Sequence, residues 1–191
     1  MEQFQLNDEL IMKIAGLISA KKNSNLKKLV KDIHFADMAD VINLLSENQG
    51  IYLIKLFDSE KTSEILTELD ENVREKILKA LSVKEIADEI EELDSDDAAD
   101  ILAELSEERK EEVISEISNE DLADNLIELL SYKEDSAGGL MAKELVKANE
   151  NWTILKCLGE IKKQGENVTR VHSIYVVDDK ERLIGRLSLK D

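Results

Sequence analysis

Residues 78–105 read LKALSVKEIADEIEELDSDDAADILAEL, and this stretch decides the fold because its apolar pattern returns every twelve residues. The same pattern runs through residues 41–130. Two of its registers hold only apolar side chains, Ile42, Ile54, Leu66, Leu78, Ile90, Leu102, Ile114 and Leu126 in one and Leu45, Phe57, Leu69, Leu81, Leu93, Leu105, Ile117 and Leu129 in the other. The next register holds residues that favour helix N-caps, namely Ser46, Asp58, Asp70, Ser82, Asp94, Ser106 and Ser118.

Each twelve-residue unit therefore predicts one capped helix of about ten residues, with two apolar side chains three positions apart on one face. A helix of this length is not stable alone in water, so its apolar stripe must be buried against neighbouring units. The sequence predicts a mostly α-helical protein whose residues 1–131 form a right-handed α-solenoid.

The pattern breaks after Leu130, where residues 132–139 form a connector that includes the glycine pair Gly138 and Gly139, interpreted as a helix end. Residues 140–191 then predict the order β-α-β-β, with strands near 144–148, 171–177 and 183–189 and a helix capped by Asn151 or Thr153. Three strands and one helix leave an apolar face uncovered. We therefore expect this partial α/β motif to be incomplete or to be completed by another chain.

The negative charge is concentrated in one part of the chain. Residues 83–130 carry 19 acidic and 3 basic side chains, so this segment holds −16 of the net charge of −18. A solvated helix surface is the ordinary reading of acidic helices. Here the density of carboxylates is high enough that they repel each other unless cations gather around them.

Two carboxylates of this segment, Asp96 and Asp100, are four residues apart and therefore lie on one face of a helix. Glu64 shares the twelve-residue register of Asp100, but periodicity alone does not bring Glu64 beside it. Paired carboxylates suit Mg²⁺ or Ca²⁺, and Mg²⁺ keeps several of its waters and binds only one or two carboxylates directly. An acidic pair at this spacing is by itself a weak metal signal, and no EF-hand loop accompanies it.

Several function classes are not supported by the sequence. A chain with this net charge lacks the basic footprint that nucleic acid requires. No apolar run approaches the ~18 residues that span a bilayer, and the N-terminus lacks the basic region of a secretory signal. His34 and His172 have no catalytic or zinc-binding arrangement beside them. We expect a soluble cytoplasmic chain that is not an enzyme.

The solenoid, the junction EDSAGGLM at residues 134–141, the segment SIYVVD at 173–178 and the segment GRLSLKD at 185–191 together resemble the cytoplasmic region of MgtE-type magnesium transporters. The Ala-Gly-Gly-Leu-Met junction between solenoid and CBS motif is the more specific of these signatures. The resemblance implies a chain that continues into a second CBS motif, a connecting helix and a dimeric membrane pore for Mg²⁺. It places the chain on the cytoplasmic face of the cell membrane, as an N-terminal fragment with an incomplete CBS domain over residues 140–191.

The resemblance also implies a mechanism, in which Mg²⁺ bound between acidic surfaces of the solenoid and the CBS regions keeps the assembly compact and the pore shut. By motif match, Glu64, Asp96 and Asp100 occupy the metal-contacting positions of the solenoid. The remaining acidic partners lie mostly in the second CBS motif, so the sites in this chain are expected to be weak and hydrated. A second copy of the chain, paired through the CBS regions, is the expected protein partner.

Two alternatives remain open at this stage. Some CBS pairs bind adenine nucleotide through a Ser/Thr-x-x-Asp stretch, which Ser188 and Asp191 match, although either residue could equally cap a following helix. Short-helix solenoids also occur in flagellar-motor switch proteins as protein-interaction scaffolds, and a scaffold combined with a nucleotide-sensing CBS module is the alternative function. In a scaffold, the carboxylates would be replaceable.

Overall fold

A computed structural model describes residues 6–164 and 173–188 of the 191-residue chain. Its helices are α1 (Asp8–Ser19), α2 (Asn23–Val30), α3 (Phe35–Leu44), α4 (Glu47–Ile54), α5 (Ser59–Glu68), α6 (Glu71–Ala80), α7 (Val83–Ile90), α8 (Ser95–Ala103), α9 (Glu107–Glu116), α10 (Glu120–Leu129) and α11 (Ile154–Gln164). Its strands are β1 (Val146–Asn149), β2 (Ser173–Val177) and β3 (Leu183–Ser188). Within these residues, no helix has the length and apolar content that crossing a bilayer requires.

The described chain divides into two compact units, one formed by Met1–Leu93 with Asp97–Leu126 and the other by Asp94–Asp96 with Ile127–Asp191. In the first unit, alternate helices pack against each other, so that α3, α5, α7 and α9 form one succession and α4 packs on α6. This arrangement confirms the predicted helical repeat, because each short helix covers its apolar stripe with the next helix but one.

The apolar registers are the core of the repeat. The register that begins at Ile42 is no more than 1% exposed at every position except Ile114, which is half-buried. The register that begins at Leu45 is buried at Leu69, Leu81, Ile117 and Leu129 and half-buried elsewhere. The helices that carry them are 8 to 10 residues long from α3 to α10, as the repeat predicts.

Five predicted N-cap residues stand at the N-cap position of their helices, namely Ser46, Asp58, Asp70, Ser82 and Ser106, although the Asp70 side chain makes no capping hydrogen bond. Asp58 and Ser106 accept hydrogen bonds from the backbone N–H groups three residues later. Ser82 and Glu85 form a reciprocal capping box, in which each side chain accepts the other residue's N–H.

The prediction that Ser118 caps the last solenoid helix is wrong. Helix α10 begins at Glu120, and it is the side chain of Asn119 that accepts from the N–H of Leu122 at 3.1 Å. The N–H of Ser118 instead donates to the Glu91 carboxylate. The cap lies one residue later than predicted because Ser118 and Asn119 are adjacent and are both good N-caps, and the N–H of Asn119 donates to the Glu91 carboxylate as well.

Basic side chains connect successive repeats. The Nζ of Lys61 donates to the carbonyls of Val30 and Ile33 at 3.1 and 3.0 Å, at the C-terminal end of α2. The Arg109 guanidinium donates in the same way to the carbonyls of Leu78 and Leu81, at the C-terminal end of α6. Lys61 and Arg109 occupy equivalent positions of the repeat, and each neutralises backbone acceptors that the end of a helix leaves without partners.

The second unit contains the predicted β-α-β-β order. Strand β2 lies in the centre of the sheet, parallel to β1 and antiparallel to β3. Its core consists of Val146, Ala148 and Ile174, against which Trp152 and Cys157 pack. Helix α11 is capped by Thr153, whose Oγ1 accepts from the N–H of Lys156, so Thr153 rather than Asn151 is the cap.

The turn between β2 and β3 is organised by Asp178. Its Oδ1 accepts from the N–H groups of Lys180 and Arg182, and its Oδ2 accepts from the Arg182 guanidinium. The backbone and side-chain bonds from Arg182 hold the pKa of Asp178 below its usual range. The carboxylate therefore stays ionised and fixes the predicted turn.

Gly138 and Gly139 do not cap a helix, which corrects the earlier interpretation. Helix α10 ends at Leu129, and neither glycine has a positive φ. A Cβ on Gly138 would lie 2.6 Å from the Tyr132 ring, and a Cβ on Gly139 would collide with the carbonyl of Lys133. The glycines are therefore needed because the connector folds tightly back on itself.

The second unit exposes apolar side chains on α11 and β3. More than half of the surface of several of these residues is accessible, namely Ile154, Leu155, Leu158, Leu183 and Leu187. This agrees with the expectation that one helix does not cover the apolar surface of the motif.

The repeat makes a direct prediction about stability. We expect Leu78→Ala to lower the free energy of unfolding by about 2–5 kcal/mol, because Leu78 is only 1% exposed and its removal leaves a cavity. Leu44→Ala is the matched control, since Leu44 lies on α3 but is 62% exposed, and it should cost less than about 0.5 kcal/mol. Chemical denaturation measures both variants, and equal losses would contradict the assigned core.

Candidate functional site

Helix α8 carries the two carboxylates that the sequence singled out. Its buried apolar residues are Ala98, Ala99, Ile101 and Leu102. Asp96 is half-buried and Asp100 is exposed, and their spacing places them one helical turn apart on a face outside this apolar set.

Glu64 lies on a different helix, α5, where it is half-buried. There it lines an open cleft of about 440 Å³ together with His34, Phe35, Asp58 and Lys61. Among the residues that the structure describes, no three His, Cys, Asp or Glu side chains are grouped so as to hold a metal ion. Glu64 is thus not brought together with Asp96 and Asp100 as a three-residue cluster.

The surplus negative charge of residues 83–130 is not balanced locally. Two of the three basic residues of this segment form ion pairs within it, Lys84 with Asp88 and Lys110 with Glu107, and the third, Arg109, donates to backbone carbonyls. Three cations from outside the segment also pair with its carboxylates, namely Arg74 with Glu104, Lys55 with Glu85 and Lys143 with Glu128. These ion pairs involve five of the 19 carboxylates, so the segment keeps a large net negative charge that solvent ions screen.

The first turn of α8 is fixed by a contact that the sequence did not predict. Ser95 is fully buried, and its N–H and Oγ both donate to the Glu144 carboxylate, at 3.0 and 2.8 Å. The N–H of Lys143 donates in turn to the Ser95 Oγ at 2.9 Å. A carboxylate at a helix N-terminus is favourable because it accepts from N–H groups that have no partner within the helix.

Lys143, the residue before Glu144, forms an ion pair with a different helix. The Lys143 ammonium pairs with the Glu128 carboxylate of α10 at 2.6 Å and holds the pKa of Glu128 below its usual range. Lys143 and Glu144 thus hold the segment before β1 at two points, the start of α8 at Ser95 and the end of α10 at Glu128. The first of these points, Ser95, directly precedes Asp96. Glu144 therefore positions the turn that carries one of the predicted metal ligands.

The nucleotide prediction is only partly within the described residues. Ser188 is the last residue of β3 and is half-buried. Asp191 lies outside the described residues, so this prediction stays a prediction.

Comparison with protein-family models identifies two domains in the chain. Residues 33–135 match the MgtE intracellular N domain, and residues 137–191 match the CBS domain. The chain is also 43% identical over 60 residues to the magnesium transporter MgtE of Thermus thermophilus, and 32% identical over 62 residues to that of Enterococcus faecalis. The aligned segments cover 31% and 32% of this chain but only 13% and 14% of those relatives.

Solved structures share the fold over nearly the whole chain. One is described as the cytosolic domain of the Mg²⁺ channel MgtE in complex with ATP; it has a TM-score of 0.83 and 26% identity, and the match covers 94% of this chain and 73% of that one. Another is described as the soluble part of a magnesium transporter; it has a TM-score of 0.78 and 22% identity, and the match covers 96% and 72%.

The Glu144 contact predicts a local loss of stability. We expect Glu144→Ala to lower the free energy of unfolding by about 1–2 kcal/mol, because it leaves the buried Ser95 N–H and hydroxyl without their acceptor. Amide hydrogen exchange should accelerate at Ser95 in particular. Glu150→Ala, an exposed control before α11, should change neither quantity, and unchanged exchange at Ser95 in Glu144→Ala would disprove the contact.

Proposed function

The chain belongs to the MgtE family, with an intracellular N domain followed by a CBS domain, and we propose that it is the Mg²⁺-sensing regulatory region of a magnesium transporter. In this proposal the acidic face of the solenoid binds Mg²⁺ at its interface with CBS regions, and the bound state stabilises the closed pore. The region lies at the cytoplasmic face of the membrane. The observation that carries the proposal is the concentration of 19 acidic against 3 basic residues in positions 83–130 of this family member.

Electrostatic repulsion between its carboxylates makes the solenoid sensitive to divalent cations. Two carboxylates about 6 Å apart in water repel by about 0.7 kcal/mol, and nearby carboxylates add to this. Monovalent salt screens such repulsion only in part over short distances, whereas a divalent ion bound between the groups removes it. The repulsion between this acidic surface and another one therefore decreases when the divalent cation concentration rises.

The residues at α8 fit a hydrated Mg²⁺ ion. Asp96 and Asp100 offer hard carboxylate oxygens one helical turn apart, and Mg²⁺ accepts one or two carboxylates while it keeps several waters. Asp96 and Asp100 would hold the ion, and Glu144 would keep the turn of Asp96 in place. Glu64, on α5, would bind a hydrated Mg²⁺ ion at a separate site, with water between the carboxylate and the ion. The ion itself supplies charge neutralisation.

Such a site regulates a pore only if it discriminates between two states. Converting an equilibrium from 1:99 to 99:1 requires roughly a 10⁴-fold difference in affinity, which two sites that each favour the compact state about a hundredfold would supply. The acidic groups of the solenoid supply one half of each site, and the facing surface supplies the other half. Weak binding to this chain alone is therefore part of the proposal.

The exposed apolar side chains of α11 and β3 support the proposed partners. Large apolar groups such as Ile154 and Leu155, 79% and 82% exposed, are typical of a surface that another domain covers. We assign this surface to a second CBS motif, with a second copy of the chain completing a homodimer through the CBS regions. A transmembrane pore domain is the element that this assembly would control.

The metal proposal makes a prediction about charge-neutralising variants. In a longer cytoplasmic region that includes the second CBS motif, added Mg²⁺ should raise the melting temperature and reduce the hydrodynamic radius. Asp96→Asn combined with Asp100→Asn should abolish most of this response, because the paired carboxylates are lost while the shape of the side chains is kept. The present chain should respond weakly. The same hydrodynamic measurements report whether the longer region is a dimer.

The matched control is Glu108→Gln combined with Glu111→Gln, which makes the same change in net charge on two exposed residues of the same acidic segment. This control should keep most of the Mg²⁺ response. If both double variants lose the response equally, general screening rather than a site at α8 is responsible. If the wild-type region ignores Mg²⁺, the sensor function is wrong and the cation-independent scaffold takes its place.

Adenine nucleotide is a second candidate ligand, because the related cytosolic domain with 26% identity is described in complex with ATP. Ser188 at the end of β3 and Asp191 would contact phosphate and ribose. We expect ATP to bind the longer region and Asp191→Ala to weaken binding at least roughly tenfold, about 1.4 kcal/mol. Calorimetric titration with ATP measures this, and full-strength binding by Asp191→Ala would exclude the assignment.

A further inference from the structure

One residue breaks the apolar pattern inside the acidic half of the solenoid. A third register of the repeat holds Val41, Leu53, Ile65, Ile77, Glu89, Ile101, Val113 and Asn125. The six aliphatic members are all no more than 2% exposed, so this register points into the core. Glu89 therefore stands where the neighbouring repeats place isoleucine, with only 9% of its surface exposed.

The carboxyl group of Glu89 has little to compensate its burial. Its Oε2 is buried and has no hydrogen-bond partner among the described residues. The charges that raise its pKa are carboxylates: Asp88, Glu92 and Glu85 lie on α7 or soon after it, and Asp58 precedes α5. Burial and then these charges raise the pKa of Glu89 to about 8.

The helices on both sides of α7 do not offer an opposite charge to Glu89. On the α5 side, the Lys61 ammonium donates to carbonyls at the C-terminal end of α2, and Lys55 pairs with Glu85 at 2.9 Å. On the α9 side, the Arg109 guanidinium donates to the carbonyls of Leu78 and Leu81. Glu116 of α9 adds a further negative charge near Lys84. The bonds that these cations form go to other acceptors, and the buried Nε of Arg109 has no hydrogen-bond partner among the described residues.

We propose that Glu89 is a proton-binding site in the core of the solenoid, and that loss of its proton loosens the packing of α7 between α5 and α9. The neutral acid is tolerated in an apolar register, whereas an unpaired carboxylate there is costly. This inference does not depend on Mg²⁺ or nucleotide. It makes the acidic half of the solenoid sensitive to pH in the neutral range.

The direction of the pH effect follows from the two states. Unfolded, Glu89 loses its proton near its ordinary pKa of 4.5; folded, it keeps the proton up to a pH of about 8. The folded state therefore binds more protons between these values, and stability falls as the pH rises through this window. Below the ordinary pKa the full stability is present, and above the folded pKa the loss is complete.

The test is the pH dependence of unfolding of the 191-residue chain. Between about pH 6 and about pH 9 the unfolding equilibrium constant of the wild type should rise roughly ten- to a hundredfold more than that of Glu89→Gln. The comparison with the variant is needed because histidines and the amino terminus titrate in the same range. Glu89→Leu, which restores an aliphatic residue, should be at least as stable as the wild type and should show the smaller dependence of Glu89→Gln.

Glu92→Gln is the matched control, since it removes an exposed carboxylate three residues away. It should keep the wild-type pH dependence, with the midpoint slightly lower because one repelling charge is gone. Identical pH dependence in wild type and Glu89→Gln would overturn the proposal. Carbon-13 NMR of the wild-type carboxyl groups is independent of any variant: one glutamate should titrate near pH 8, and titration of every glutamate below about pH 6 would also overturn it.

Discussion

The structure depends on the burial of short apolar stripes between alternate helices. A helix of 8 to 10 residues cannot hold its own hydrogen bonds against water, so each unit is stable only because Ile42, Leu66, Ile90 and their equivalents are covered by the next helix but one. Nearest-neighbour burial of this kind makes stability a sum over repeats. It also leaves every position outside the stripes free to carry other chemistry.

The equivalent positions of the repeat show how that freedom is used. The third residue after each N-cap is Glu85 in one unit, where it closes a capping box, and Lys61 or Arg109 in others, where it binds the carbonyls of an earlier helix. Both solutions satisfy backbone groups at helix ends. The outer positions of residues 83–130 are then left to carboxylates, which gives one half of an otherwise uniform scaffold a strong field.

The sequence was sufficient for features that repeat and insufficient for those that occur once. The registers and most cap positions follow from local periodicity, and the element order β-α-β-β after residue 140 follows from apolar runs and turn residues. The bond between Glu144 and Ser95 joins residues 49 positions apart, and no periodic signal marks it. Glu89 was visible as a break in a buried register, but only its burial separates it from the other acidic residues of α7. The shift of a cap from Ser118 to Asn119 reflects two adjacent residues of equal propensity.

We propose above all that the acidic half of the solenoid binds divalent cations at α8. The most direct measurement is a titration of the isotope-labelled 191-residue chain with MgCl₂, followed by amide chemical shifts. We expect saturable shifts centred on Asp96 and Asp100, with α1 to α4 unaffected and with much smaller shifts at equal ionic strength of NaCl. Shifts spread evenly over all acidic residues, or equal shifts with NaCl, would contradict it.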